Sequence, residues 1–211
     1  MLTPNVNEKK NAEGSFFQIF EDEDFLIGNL NLSKELIEHQ TIHHPIIENC
    51  VFEQVTFTSN EFIGIEINNC VFRNCDLSNC DLSKGSIHRT HFYNCKLVGT
   101  SFSENYFGNV HFQECKMNFA NFSDSKFKAA RFEGSLMNST DFIECLLQTT
   151  VFADCDIDQA NFSSTQLKKM DLSTCDFNQL TIQPENLKGC KVNSRQANYF
   201  IKSFLDITVV D

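Results

Sequence analysis

The sequence predicts a single-domain all-β solenoid, a square coil of twenty residues per turn, from three observations. Every fifth residue from Ile47 to Val192 is apolar without one slip of frame, as in Phe52, Phe57, Phe62, Ile67 and Phe72. A period of five is neither the 3.6 of a helix nor the 2 of a flat strand, and marks a repeat in which each short unit turns one corner. All ten cysteines fall at multiples of five, two residues before the central apolar residue, in a slot held elsewhere by small residues such as Thr90, Thr100, Ala120, Ser125 and Ala130. Phenylalanines also recur at a spacing of twenty, as Phe52, Phe72, Phe92, Phe112, Phe132 and Phe152. Four five-residue sides thus close one turn, and residues twenty apart stack at the strand spacing of ~4.8 Å.

The phase-locked stretch amounts to roughly seven coils and a rod roughly 35 Å long. Each coil buries its inner face only against its neighbours, so both ends need caps. Three regions follow: an acidic, partly disordered segment at 1–24, the coil at 25–192 (degenerate at 25–46), and a C-terminal cap at 193–211. In the degenerate stretch Ile27, Leu32, Ile37 and Ile42 keep the phase, but Gly28, Pro45 and the helix-like Ser33–His39 interrupt the pattern. Phe16, Phe17, Ile19 and Phe20 are placed to fold over the first coil. At the other end Ser194 is a candidate helix N-cap. Ala197, Phe200, Ile201, Phe204 and Leu205 then share one helical stripe, with Ile207–Val210 as a short apolar strand. Phe200, Phe204, Leu205, Val209 and Val210 exceed what a narrow rod end can hide, which predicts self-association there.

The core relies on 22 phenylalanines and no tryptophan. Met1–Leu30 is polar and then acidic, with no apolar core of a signal peptide, and no apolar run reaches the ~20 residues of a membrane span. The chain therefore reads as cytoplasmic, without a membrane partner. Its cysteines occupy one packing slot and form no metal-type pattern, so they read as small buried hydrophobes rather than ligands. A filled coil offers no concavity for convergent catalytic groups, and no phosphate-binding or nucleophile motif is present. No enzyme activity, metal or cofactor is expected. His91 and His111 stack outward on one side and read as surface histidines, with a weak adventitious metal site as the alternative.

The segments Cys75-Asp76-Leu77-Ser78-Asn79, Cys80-Asp81-Leu82-Ser83-Lys84, Ala120-Asn121-Phe122-Ser123-Asp124 and Ala160-Asn161-Phe162-Ser163-Ser164 match the A-(D/N)-L-x-x unit of pentapeptide-repeat proteins. That resemblance implies a right-handed quadrilateral β-helix. The Gly189-Cys190-Lys191-Val192 turn, the Gln196-Ala197 helix start and the apolar tail further resemble the Qnr quinolone-resistance group, over about Phe25 to Val210. Such proteins are rod-shaped dimers joined through their C-terminal ends. They bind DNA gyrase and topoisomerase IV and protect them from fluoroquinolones, with a DNA-mimic surface proposed for the group. The resemblance thus implies a homodimer and a type II topoisomerase partner. Many members carry frame-breaking loops that contribute to protection; here the frame is unbroken, as in the loopless chromosomal Gram-positive members. A pentapeptide-repeat scaffold with a different partner is the alternative.

The net charge of −11 disfavours direct nucleic-acid binding and suits a basic partner. Residues 1–50 hold nine acids and three bases, with Glu21-Asp22-Glu23-Asp24 as the densest run, whereas 51–192 hold seventeen acids and twelve bases. The side centred on Phe62, Leu82, Phe102 and Phe122 carries Glu61, Asp81, Glu104, Asp124, Asp141 and Glu144 against Lys84. Its neighbour, centred on Ile67, Ile87, Phe107 and Phe127, carries Arg89, Lys126, Lys128, Lys168, Lys169 and Lys188 against Glu66 and Glu185. The acidic side is the predicted partner-binding surface.

Overall fold

The chain turns because every fifth residue adopts a left-handed backbone. In the computed structural model, which describes residues 1–208, positive φ recurs at five-residue intervals from Asn29 to Lys169, between 43° and 67° at the non-glycine corners. Each such residue redirects the chain, so four five-residue sides close a coil and about eight coils stack as a β-solenoid. All ladders are parallel and offset by twenty. Val51, Val71, His91, His111, Arg131 and Val151 pair in succession on one side. The sides through Phe52 and Ile67 carry true strands, fused round their common corner in Ser86–Tyr93 and Tyr106–Gln113. The sides through Phe57 and Phe62 carry single bridges, such as Thr56–Asp76 and Glu61–Asp81.

The five-residue frame is the core. Phe52, Phe72, Phe92, Phe112, Phe132 and Phe152 stack with ring centroids 4.5–5.1 Å apart and planes within 14°. Rings on opposite sides meet edge-on, as Phe132 and Phe142 do at 5.6 Å and 90°. Both arrangements suit the aromatic quadrupole. The stretch 25–46 belongs to this coil. Ile27, Leu32, Ile37 and Ile42 are buried, and Leu26–Gly28 pairs with Ile46–Glu48. Pro45 fits because it occupies the inward slot, where its missing N–H leaves no buried donor to satisfy.

The slot proves more demanding than simple packing. Its side chain donates to the carbonyl of the central residue twenty-three positions earlier. Cys70 Sγ donates to Ile47 O at 3.5 Å, Thr100 Oγ1 to Leu77 O at 2.8 Å and Ser125 Oγ to Phe102 O at 2.9 Å. Several slots also accept the backbone N–H of the slot one coil back, as Ser125 Oγ does from Asn105 N at 3.0 Å and Thr165 Oγ1 from Cys145 N at 2.8 Å. Cys, Ser, Thr and Asn therefore recur there because they are small and carry a donor, which sharpens the reading of cysteine as a mere hydrophobe.

The caps differ from expectation in instructive ways. The first coil is covered by a 3-10 helix at Phe16–Glu21, but only Phe16 and Ile19 are buried, and Phe17 and Phe20 remain exposed. Residues 1–24, expected to be partly disordered, instead lie against the rod. Ala12–Glu13 pairs with Leu30–Asn31, and Asn5 and Glu8 reach Asn69 and Arg73. Polar side chains on both partners supply these contacts, which apolar patterning does not register. At the far end helix α1 spans Ser194–Leu205 and its N-cap is Asn193, one residue before the expected Ser194. Asn193 Oδ1 accepts from Gln196 N at 3.0 Å, while Gln196 Oε1 accepts from Asn193 N at 2.9 Å. The buried Gln196 then donates to Leu172 O and Cys175 O, closing carbonyls that another coil would otherwise satisfy. Ile207 and Thr208 lie in no strand; Val209 and Val210 are outside the described residues.

The left-handed corners break down before this cap. Pro184 stands at a corner position where proline cannot take positive φ, and the chain forms a 3-10 turn over Pro184–Leu187 instead. Among the regular corners, Thr149 at φ 52° is the β-branched residue least suited to its conformation. Thr149→Asn is expected to stabilise the protein by about 1 kcal/mol, since Asn tolerates this region. The urea midpoint checks it: an unchanged or lower value rules out strain at this corner.

Candidate interaction surfaces

The repeat motif itself accounts for part of the acidic side. The residue before each central position caps the turn after it: Asp76 Oδ1 accepts from Ser78 N at 3.0 Å, Asp81 Oδ1 from Ser83 N at 3.0 Å and Asn161 Oδ1 from Ser163 N at 3.1 Å. These are local bonds that favour the turn. Asp81 is thus half-buried and occupied structurally. Asp141 is also half-buried and accepts from Asn161 Nδ2 at 3.2 Å, while Glu61 is exposed and meets Thr41 Oγ1 at 3.4 Å.

Glu104, Asp124 and Glu144 are different. They occupy successive left-handed corners of one edge, all exposed, stacked coil upon coil. Lys84 begins the column and approaches Glu104 at 3.8 Å. Among the described residues neither Asp124 nor Glu144 has an ion-pair partner within 4.0 Å. The predicted residues therefore form two parallel columns: Glu61, Asp81 and Asp141 on the flat of the side, interrupted by Ser101 and Asn121, and Glu104–Asp124–Glu144 on its edge. Beside that edge an open depression of about 640 Å³ is lined by Glu104, Tyr106, Asp124 and Lys126, so acidic and basic sides meet there.

On the Phe52 side, the His91 and His111 rings stack at 4.7 Å and 4°. Each has its own partner, Gln113 Oε1 at 3.2 Å and Glu133 Oε2 at 3.0 Å. Burial pushes both imidazoles below their ordinary value. The Arg131 guanidinium bonded to Glu133 holds that carboxyl at about 2. Among the described residues no cluster of three or more His, Cys, Asp or Glu side chains could hold a metal ion, and no helix is long and apolar enough to cross a membrane.

At the C-terminal end the predicted interface residues separate. Phe200 is buried within its own chain, against Phe177 at 5.7 Å and stacked on Phe204 at 5.5 Å. Phe204 is half-buried and Leu205 is 65% exposed. An apolar groove of about 350 Å³, lined by Pro184, Leu187, Val192, Ala197, Phe200 and Phe204, opens beside them.

Two family models match the chain: a pentapeptide repeat region over residues 85–152, and eight copies of pentapeptide repeats over residues 140–179. The chain is a pentapeptide-repeat protein. No curated protein matches it. Solved structures similar to this pentapeptide-repeat protein include trypsin-treated QnrB1, a plasmid-mediated fluoroquinolone resistance protein, at 15% identity over 86% of this chain and 100% of that one, with a TM-score of 0.47. HetL, involved in heterocyst differentiation regulation in the cyanobacterium Nostoc sp. strain PCC 7120, shares 12% identity over 86% and 94% of the two chains, with a TM-score of 0.36. Rfr23 from the cyanobacterium Cyanothece 51142 shares 11% over 84% and 96%, with a TM-score of 0.29. These likenesses do not choose among partners.

The pentapeptide-repeat slot also decides the behaviour of the thiols. All ten cysteines are free and all but the half-buried Cys190 are buried. Burial pushes Cys145 and Cys155 up to about 12 and Cys80 and Cys190 to about 11. At pH 8 these groups are protonated and unreactive. Iodoacetamide is expected to modify at most Cys190 in the native protein and all ten after unfolding. Mass spectrometry reads the result; rapid native labelling of slot cysteines would show that the coils open readily.

Proposed function

We propose that this pentapeptide-repeat protein is a non-enzymatic binding protein that presents its acidic edge to the basic DNA-binding surface of a type II topoisomerase, DNA gyrase or topoisomerase IV, and thereby lowers the enzyme's sensitivity to fluoroquinolones. The observation that carries this reading is the exposed column Glu104–Asp124–Glu144, flanked by Asp141, Asp81 and Glu61. Stacked carboxylates at strand spacing form a linear run of negative charge that steers a positively charged groove toward the rod. The Qnr-like turn at Gly189–Val192 and the helix entered at Gln196-Ala197 support topoisomerase as the partner. Protection here works without frame-breaking loops, through the rod surface alone. Direct binding of nucleic acid is disfavoured by the same acidic charge.

The test is gyrase supercoiling with ciprofloxacin, with and without the protein, alongside Glu104→Gln, Asp124→Asn and Glu144→Gln combined. Corner positions tolerate Asn and Gln, so the variant is expected to fold and to lose about tenfold or more in gyrase affinity, with weaker binding of the parent at higher salt. Equal binding by folded variant and parent sinks the acidic-edge mechanism. No topoisomerase binding by the parent points to a scaffold with another partner.

The exposed Leu205 and half-buried Phe204, beside the apolar groove, support a homodimer through the C-terminal ends. Sedimentation at several concentrations should show a dimer that Phe204→Asp converts to monomer. A parent that stays monomeric, or a dimer indifferent to the substitution, overturns that assignment.

A further inference from the structure

One surface of the rod already holds a peptide. The corner between the Ile67 side and the Phe72 side carries Asn29, Asn49, Asn69, Arg89 and Asn109 in successive coils, then Ala129 and Thr149. Asparagine is favoured at left-handed positions, but the other corners mix Lys, Gln, Ser, His, Gly and Glu with only occasional Asn. The asparagine run ends where the N-terminal segment ends. Asn109 Oδ1 accepts from Leu2 N at 2.8 Å. Two coils lower, Asn69 clamps the backbone of Asn5 from both sides: its Oδ1 accepts from Asn5 N at 2.6 Å and its Nδ2 donates to Asn5 O at 3.3 Å. Three residues from Leu2 to Asn5 therefore cross two coil spacings, about 10 Å, which requires an extended chain. Glu8 then pairs with Arg73 through two bonds, 2.5 and 3.3 Å.

These contacts read a peptide by its backbone and by one carboxylate. No apolar side chain of residues 1–8 is fully buried, and the segment leaves spaces of about 410 and 220 Å³ beside it, next to His88 and His91. The segment is a ligand laid on the rod rather than part of its core. We infer that the Asn49–Asn69–Asn109 corner with Arg73 is a docking groove for an extended peptide carrying an acidic side chain three residues after the clamped backbone, and that residues 1–8 are its resident occupant. Asn amides supply sequence-tolerant backbone recognition, and Arg73 fixes register through a bidentate carboxylate pair. Because the occupant is tethered, its effective concentration is high, and a competing peptide must exceed it.

The test uses the full chain. Lys9 and Lys10 are exposed just past the docked segment, so trypsin cleavage there reports undocking. Arg73→Glu is expected to speed cleavage about tenfold with the melting temperature unchanged, and Arg73→Glu combined with Glu8→Arg to restore slow cleavage. A synthetic peptide of residues 1–8 should accelerate cleavage of the parent saturably, while the same peptide with Glu8→Arg should not. Asn69→Ala provides a variant without charge change and should also speed cleavage. Cleavage indifferent to Arg73→Glu and Asn69→Ala, no rescue by the charge swap, or no effect of the peptide at millimolar concentration overturns the inference.

Discussion

A left-handed corner at every fifth residue is the constraint on which the rest of this molecule depends. It turns the chain after so few residues that each side is too short to be a sheet by itself, and hydrogen bonding must come from the coils above and below. It also leaves central-residue carbonyls facing the interior, where no water reaches. The slot side chain answers them one coil later, which is why Cys, Thr, Ser and Asn alternate at a position that apolar packing alone would fill with alanine. An unanswered buried carbonyl costs about 1–3 kcal/mol, so a column of unanswered slots would be unfavourable along the whole rod. Gln196 extends the same logic to the last coil.

The coil was legible because its signal is periodic. Phe52 to Phe152 at a spacing of twenty fixes both the side on which a residue lies and its neighbours, and the structure stacks those rings as the spacing requires. Features outside the period were hidden. Pro184 keeps the apolar frame intact on both sides while changing the backbone from a corner to a 3-10 turn. The Asn193 N-cap and Ser194 are both good capping residues, and only the reciprocal Gln196 bond decides between them. The docked N-terminus joins residues 64 and 107 positions apart through amides. Its only trace in sequence is the twenty-residue recurrence of Asn29, Asn49, Asn69 and Asn109. The acidic side was visible as charge, but its division into a half-buried column with capping work and a free edge column needed the corner geometry.

That division carries the functional argument. Because the ladder offset is fixed at twenty, residues i and i+20 on the surface are forced neighbours, and the chain generally makes them complementary. Asp76 lies beside Lys96 at 3.3 Å, Asp171 beside Lys191 at 3.8 Å, Lys84 beside Glu104 at 3.8 Å and Glu38 beside Thr58 at 2.7 Å. Glu104, Asp124 and Glu144 break the pattern by placing three like charges in register. Like charges at strand spacing oppose folding, and a local sequence choice that conflicts with the fold signals another constraint. On an exposed edge with no partner in its own chain, the simplest such constraint is a basic surface outside it.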